Sequence, residues 1–372
     1  MKQELKEKIG QAIEAVLPEL LEIAKGLYEN PEIGGAEKQT SKLLVAWLET
    51  HGFRVDRDYW KMPFAFRAVR DSGKPGPVIG FFDGVHRGHG ALLRRTVEVA
   101  RQLNATPAAF TFDRPPKEVV TGKPVPLINS AQERQELMER LYGIQQVIIA
   151  PFDREMMTMP WQDFITELLV KRYGAVHLVA GHDYHFGHKN AGDPVLLQQK
   201  CRELGLGCDI IPKVELEGIT VSSTYIRQLV ESGQVERAAE FLGHRHCLSQ
   251  TVSHGFRFGR TIGIPTINFT VPDHVLVPER GVYVTRVYLP DGGSYAGVTN
   301  VGTRPTVSDS GSVSIETFLL DFDGDLYGKR IRLEFCRRLR EEKKFDTPQQ
   351  LKDEIEKNIA QTREYFRETG EA

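Results

Sequence analysis

Two histidines three residues apart, His86 and His89, stand in a glycine-rich turn that reads Gly80-Phe-Phe-Asp-Gly-Val-His-Arg-Gly-His. Imidazoles donate hydrogen bonds to phosphate oxygens, and Gly84 and Gly88 let backbone approach a ligand closely. An apolar run at residues 77–82 leads into the turn, and a helical pattern (Leu92, Leu93, Val97, Val99, Ala100) leads out of it. Strand, glycine turn and helix together aim backbone N–H groups and a helix N-terminus at an anion. Two other readings compete. As metal ligands the pair lacks the glutamate of a zinc-protease His-Glu-x-x-His, and two histidines of an ordinary surface loop would do no chemistry.

Further residues could join such a site. A second apolar run ends in Val179-Ala-Gly-His-Asp-Tyr-His-Phe-Gly-His-Lys-Asn-Ala-Gly, where Gly181, Gly187 and Gly192 favour close approach beside Asp183. The rings of Tyr184 and Phe186 could face a base or a flavin. Ser222, Ser223 and Thr224 open a helical pattern with Arg227 just inside, a set suited to triphosphate charge. The competing reading is that Ser222 or Ser223 simply caps that helix. Towards the C-terminus, Pro265-Thr-Ile-Asn offers the Thr266 hydroxyl and the Asn268 carbonyl, hard oxygen ligands for a Mg²⁺ ion carried by nucleotide phosphates.

The elements that would hold these residues fall into three segments: 1–75, 76–235 and 245–372. In the first, Leu5, Ile9, Ile13, Val16, Leu17, Leu20, Leu21 and Ala24 recur at helical spacing, with Pro18 expected to kink or break the helix. A second helix is expected at 41–50, with Gly52 as its C-cap, followed by strands at 53–59 and 64–69. The second segment alternates strands (77–82, 108–111, 146–149, 176–180, 209–212) with helices such as 132–141 and 161–171. That alternation predicts an α/β fold with a mostly parallel sheet, Rossmann-like, whose ligands sit at the C-terminal strand ends where Gly84 and Gly181 lie. The third segment has short runs rich in Val, Thr, Tyr and Ile (Gly281–Tyr288, 294–298, 314–322, 330–335), which predict a small antiparallel β-barrel closed by a charged helix at 347–367. Its basic cluster, Arg337, Arg338, Arg340, Lys343 and Lys344, reads as a solvated face.

At 372 residues, 40% hydrophobic and 26% charged, with net charge −2, the chain has the composition of a multidomain globular protein. The charge argues against a nucleic-acid binder, and no apolar run is long enough to span a membrane. Four cysteines without Cys-x-x-Cys spacing and an N-terminus without a signal-like h-region suggest a reduced, cytoplasmic setting. A homo-oligomer stays open.

Taken in order and spacing, these motifs resemble the prokaryotic bifunctional riboflavin kinase/FAD synthetases over residues 77–372. The resemblance implies an α/β nucleotidylyltransferase domain that adenylylates FMN to FAD and a β-barrel that phosphorylates riboflavin to FMN, both using ATP with Mg²⁺. It implies that His86 and His89 stabilise ATP phosphates during attack and that Asp83 shapes the loop. Gly80, Gly84, Gly88, Gly181, Asp183, Ser222, Ser223, Thr224, Arg227 and Gly259 would bind ATP or phosphate. Phe186 and Arg304 would meet flavin, Thr266 and Asn268 the metal, and Glu316 would be the base for the ribityl 5′-hydroxyl. Without that likeness Glu316 would read as a strand glutamate in a surface pair. Where the family has Thr-Phe-Asp/Glu-Pro-His-Pro, this chain has Thr111-Phe-Asp-Arg-Pro-Pro, which leaves the role of Arg114, Pro115 and Pro116 open.

The first segment is a separate matter. Leu27-Tyr-Glu-Asn-Pro-Glu-Ile-Gly, Thr40-Ser-Lys-Leu-Leu and His51-Gly-Phe-Arg-Val resemble the start of the M20 metal-dependent amidohydrolases and peptidases. The metal ligands of those enzymes have no counterpart here, so a hydrolase is not expected. The expectation is a bifunctional flavin transferase. The alternative is a flavin- or nucleotide-binding protein whose activity the added segment has disabled.

Overall fold

The chain separates into two units, Met1–Lys74 and Pro75–Ala372. In this computed structural model the described residues are 2–32, 37–57, 64–69, 77–253, 263–269, 271–272, 274–303 and 313–371. Gly259 and Arg304 fall outside them.

The first unit holds helices α1 (Lys2–Glu29) and α2 (Lys38–Thr50) and the antiparallel strands β1 (Arg54–Arg57) and β2 (Phe66–Val69). Pro18 does not end α1, which runs through it for 28 residues. One missing N–H costs about 3 kcal/mol, and the good helix formers on either side carry the helix past it. The Glu32 carboxylate accepts the Gln39 and Thr40 amides (2.8 and 2.7 Å) at the first turn of α2, and these bonds lower its pKa. At the other end Gly52 takes a left-handed φ of 78°.

The second unit begins with a parallel five-stranded sheet: β3 (Pro77–Ile79), β4 (Ala108–Phe112), β5 (Gln146–Ala150), β6 (His177–Gly181) and β7 (Gly207–Ile211). Its strand order is β5-β4-β3-β6-β7. From β3 the chain builds outward to one side and then to the other, so β3 and β6 flank the point where strand order reverses. Ligands of open α/β sheets bind there, beyond the strands' C-terminal ends. Helices α3 (Arg87–Gln102), α4 (Pro116–Thr121), α5 (Ala131–Tyr142), α6 (Arg154–Thr158), α7 (Trp161–Asp163) and α8 (Pro194–Glu203) connect the strands.

Two expectations need correction. The strand expected at 77–82 stops at Ile79, because Phe82 turns to a positive φ of 55° that no strand tolerates. The helix expected at 161–171 is α-helical only over α7 and continues as a π-helix, Phe164–Arg172. The wider turn brings Phe164, Ile165, Leu168 and Leu169 onto one buried face.

After a small hairpin, β8 (Glu215–Leu216) and β9 (Ile219–Thr220), helices α9 (Ser223–Glu231) and α10 (Val235–Leu242) lead to the barrel. Its strands are β10 (Cys247–Thr251), β11 (Thr266–Phe269), β12 (Gly281–Tyr288), β13 (Ser294–Thr303), β14 (Val313–Leu319) and β15 (Arg330–Arg340), in the order β10-β15-β12-β13-β14-β11. The two edges meet where Ser253 donates its amide to the Asn268 carbonyl at 2.8 Å. Phe269, Tyr283, Val301, Ile315, Leu333 and Phe335 fill the interior. The closing helix α11 (Pro348–Thr369), capped by Thr347, packs Ile359, Tyr365 and Phe366 on the outer face.

Sheet and barrel are joined by hydrogen bonds. Leu127 donates its amide to His274 O (2.8 Å) and accepts from the Leu276 amide (2.7 Å). Asn129 Nδ2 donates to Cys247 O at 3.3 Å. The buried Glu133 carboxylate closes a capping box with Ser130 at the start of α5 and also accepts the Ser249 amide.

Candidate functional site

The loop after β3 is a strained turn with several restraints. Phe82, Gly84 and Val85 all have positive φ (55°, 83° and 43°). Such backbone costs of order 1–3 kcal/mol at each non-glycine residue and persists only where its surroundings dictate it. Here the Asp83 carboxylate, 2% exposed, accepts the Ile128 amide (2.9 Å) and a guanidinium N–H of Arg227 (2.7 Å). Ser223 donates its hydroxyl to the Asp83 carbonyl at 2.9 Å. The turn after β3 and the start of α9 thus form one assembly. Burial pushes the Asp83 carboxyl upward, and Arg227 pulls against that.

His86 is the N-cap of α3, its Nδ1 accepting the His89 amide at 3.3 Å. That bond leaves the ring proton on Nε2, so Nε2–H is the donor available to an anion. The two rings stack at 3.6 Å between centroids, and His89 meets Phe82 edge-on at 5.3 Å. Gly88 leaves room for this stack, since a Cβ there would stand 3.0 Å from the His86 ring and press on it. Ser222 caps α9 by accepting the Tyr225 amide, and Thr224 is exposed beside it. Arg227, read as suited to triphosphate charge, has one guanidinium nitrogen held by Asp83. Gly80 directly follows β3, and Gly181 ends β6 with Asp183 exposed beyond it. Phe186 is buried among Trp161, Phe164 and Tyr184, with Tyr184 stacked on it at 5.4 Å.

Arg134 went unnoticed in the sequence. It is fully buried beneath the loop, donating to Phe112 O (2.8 Å), Phe81 O and Thr111 Oγ1 (3.2 Å), with its guanidinium over the Phe81 ring. Burial lowers its pKa to about 10, still fully cationic at neutral pH. A fixed positive charge thus lies under the strand ends. Its signal was available: Arg134 shares the apolar face of α5 with Leu137 and Met138.

The acid response of the fold follows from these burials. Desolvation lowers His86 (to about 3), His89, His244 and His246 (to about 4) below the ordinary 6.5. The unfolded chain therefore takes up more protons below pH ~6.5, and the stability these rings contribute is lost as pH falls towards their folded values. Asp83 and Glu133, pushed upward by burial, act in the opposite sense. The urea midpoint should fall between about pH 6.5 and about pH 4, and His246→Phe should lessen the fall. His246 is the probe because its ring is fully buried and stacked on Phe335. A midpoint insensitive to the substitution would contradict a neutral buried ring.

A second constellation lies on the barrel's outer face. Asn268, Glu316 and Asn300 occupy one rung across β11, β14 and β13, and Thr266 stands two residues along on the same face. Thr266, Asn300 and Glu316 line a cavity of about 290 Å³ with Arg340, Glu342, Lys343, Phe345 and residues of α11. Asn300 was not foreseen. It lies on a strand whose partner register alone reveals it. The basic cluster also needs revision: Arg340 is mostly buried, bonded to Asn358 and Glu354, and Arg338 is paired with Glu279. Among the described residues no group of three or more His, Cys, Asp or Glu side chains could hold a metal ion. Thr266 and Asn268 supply the neutral hard oxygens that suit Mg²⁺ when phosphates and water complete its shell.

Comparison with known proteins gives two family matches, FAD synthetase over residues 74–225 and riboflavin kinase over residues 242–366. The bifunctional riboflavin kinase/FMN adenylyltransferase of Pseudomonas fluorescens is 36% identical over 77% of this chain and 91% of its own length. The protein of the same name from Escherichia coli K12 is 35% identical over 78% of this chain and 92% of its own. A crystal structure of a Streptococcus pneumoniae protein named macrolide-efflux protein superposes with a TM-score of 0.69, at 30% identity, over 79% of this chain and 95% of that one. Its name denotes transport. Among the described residues of this chain no helix is long and apolar enough to cross a membrane.

Proposed function

The chain belongs to the bifunctional riboflavin kinase/FMN adenylyltransferase family, phosphorylating riboflavin to FMN and adenylylating FMN to FAD, and we propose the following division of labour among its residues. The rung that sets Glu316 beside Asn268, with Thr266 two residues along and both Glu316 and Thr266 on the wall of the barrel cavity, carries the reading. Glu316 accepts the proton of the ribityl 5′-hydroxyl as that oxygen attacks the γ-phosphorus of ATP and ADP departs. Thr266 and Asn268 would hold Mg²⁺, which would neutralise charge on the transferring phosphoryl group. Lys343, on the same cavity, adds positive charge.

At the sheet, an FMN phosphate oxygen attacks the α-phosphorus and pyrophosphate leaves. The contribution of the protein there is electrostatic: the His86 Nε2–H, the N-termini of α3 and α9 with Ser222, Ser223 and Thr224, and the fixed charges of Arg227 and Arg134. His89 supports the His86 ring, and Gly80, Gly84, Gly88 and Gly181 leave room for phosphate. Asp183, exposed beyond the end of β6, would complete the same site. The flavin ring lies on the aromatic cluster of Tyr184 and Phe186. Gly259 and Arg304 keep their expected ATP and flavin roles as proposals. The first unit, which in sequence resembles an amidohydrolase N-terminus, is given no catalytic role in this reading. Four free cysteines suit a cytoplasmic setting.

The test is a time course with riboflavin, ATP and Mg²⁺, its flavins resolved by chromatography. FMN should rise first and FAD should follow at its expense. FMN without FAD would sink the assignment at the sheet, and no product would sink both.

A further inference from the structure

We propose that His244, in the segment joining α10 to the barrel, is a positioning residue for the phosphate loop of the sheet. Its Nε2 lies 3.0 Å from the carbonyl of Gly84, the residue at the centre of the strained turn. Its Nδ1 lies 2.8 Å from the Arg245 carbonyl. Arg245 is itself fixed by the Glu371 carboxylate (2.7 and 2.8 Å) and by the Tyr365 hydroxyl (3.3 Å). The barrel's closing helix thus holds Arg245; a neutral ring carries one proton, and with that proton on Nε2 it bonds Gly84 while Nδ1 only abuts the Arg245 carbonyl.

The need for such a hold follows from the backbone. The peptide between Gly84 and Val85 donates its N–H to Phe82 O at 3.0 Å and offers its carbonyl to His244. Without that acceptor bond, a turn with three positive φ values has one restraint fewer and an open route to ordinary dihedrals. His86 follows two residues after Gly84, so relaxation there moves the Nε2–H that meets phosphate. Displacements of about an ångström cost such sites up to a hundredfold. Asp83 is held from α9, and Gly84 from the barrel side. The sheet's active loop is therefore completed by the other module.

The inference rests on reading this loop as the FMN adenylyltransferase site. The experiment compares His244→Ala and His244→Gln in the full chain, with riboflavin phosphorylation measured on the same samples. His244→Ala should lower FMN adenylylation by about tenfold to a hundredfold, with riboflavin phosphorylation within twofold. His244→Gln, whose amide N–H can replace Nε2–H, should restore most of the loss. Hydrogen exchange at the amides of residues 82–85 should quicken in the alanine variant alone. Equal damage in both variants, or adenylylation and exchange unchanged in His244→Ala, overturns the proposal. A wild-type chain that makes no FAD sinks the functional reading instead, and the exchange comparison then decides on His244 by itself.

Discussion

Glu316→Gln should reduce the conversion of riboflavin to FMN by about 10²- to 10⁴-fold, the range that a positioned general base supplies. Supplied FMN should still become FAD at the wild-type rate, because the sheet's loop shares no residue with the barrel cavity. The amide keeps the shape of the side chain and removes only its capacity to take a proton. Packing in the rung with Asn268 and Asn300 is then preserved. A variant that retained riboflavin phosphorylation would reassign Glu316 to a structural pair. Loss of both activities in a folded chain would refute the separation of the sites.

His86→Ala should have the complementary effect. FMN should accumulate from riboflavin while FAD formation falls by about 10²- to 10³-fold, the usual consequence of removing one preorganised donor at a charged transition state. The substitution also removes the N-cap of α3, at a cost of about 1 kcal/mol. That cost is small beside the stability of a whole domain, and the surviving kinase reaction reports whether the chain is folded. Because the His86 ring is held neutral, with its pKa near 3, FAD formation should show no limb from its protonation near neutral pH. Such a limb would mean that the ring works as an acid and not as a neutral donor.

How much of this could be read from residue order depended on how local the cause was. The barrel strands were legible because β-branched runs are punctuated by turn residues, and Gly281–Tyr288 has the bounds its pattern predicts. The turn after β3 was legible as a turn opening a helix because glycine and histidine types declare themselves, while its phosphate role is a proposal. Its strand was overrun by three residues, since the positive φ of Phe82 is imposed by the tertiary setting and leaves no mark in a run of apolar side chains. Asn300 and His244 act through partners 16 and 160 residues distant, which no local pattern specifies. For Arg340 the spacing suggested water, whereas Asn358 and Glu354 of the closing helix cover it.

The paired hydrogen bonds at Leu127 and the double duty of Glu133 bear on how such a chain can be inherited. A gene cut between α10 and β10 would give two products, each with polar groups whose partners lie on the other. Leu127, Ser249 and the carbonyl of Cys247 would all lose partners together, and a buried polar group left without one costs about 1–3 kcal/mol. Exchange of either half for that of a distant cousin meets the same barrier unless the junction travels with it. Selection on one catalytic half is therefore felt by the other through their common seam, and the pair descends as one heritable object.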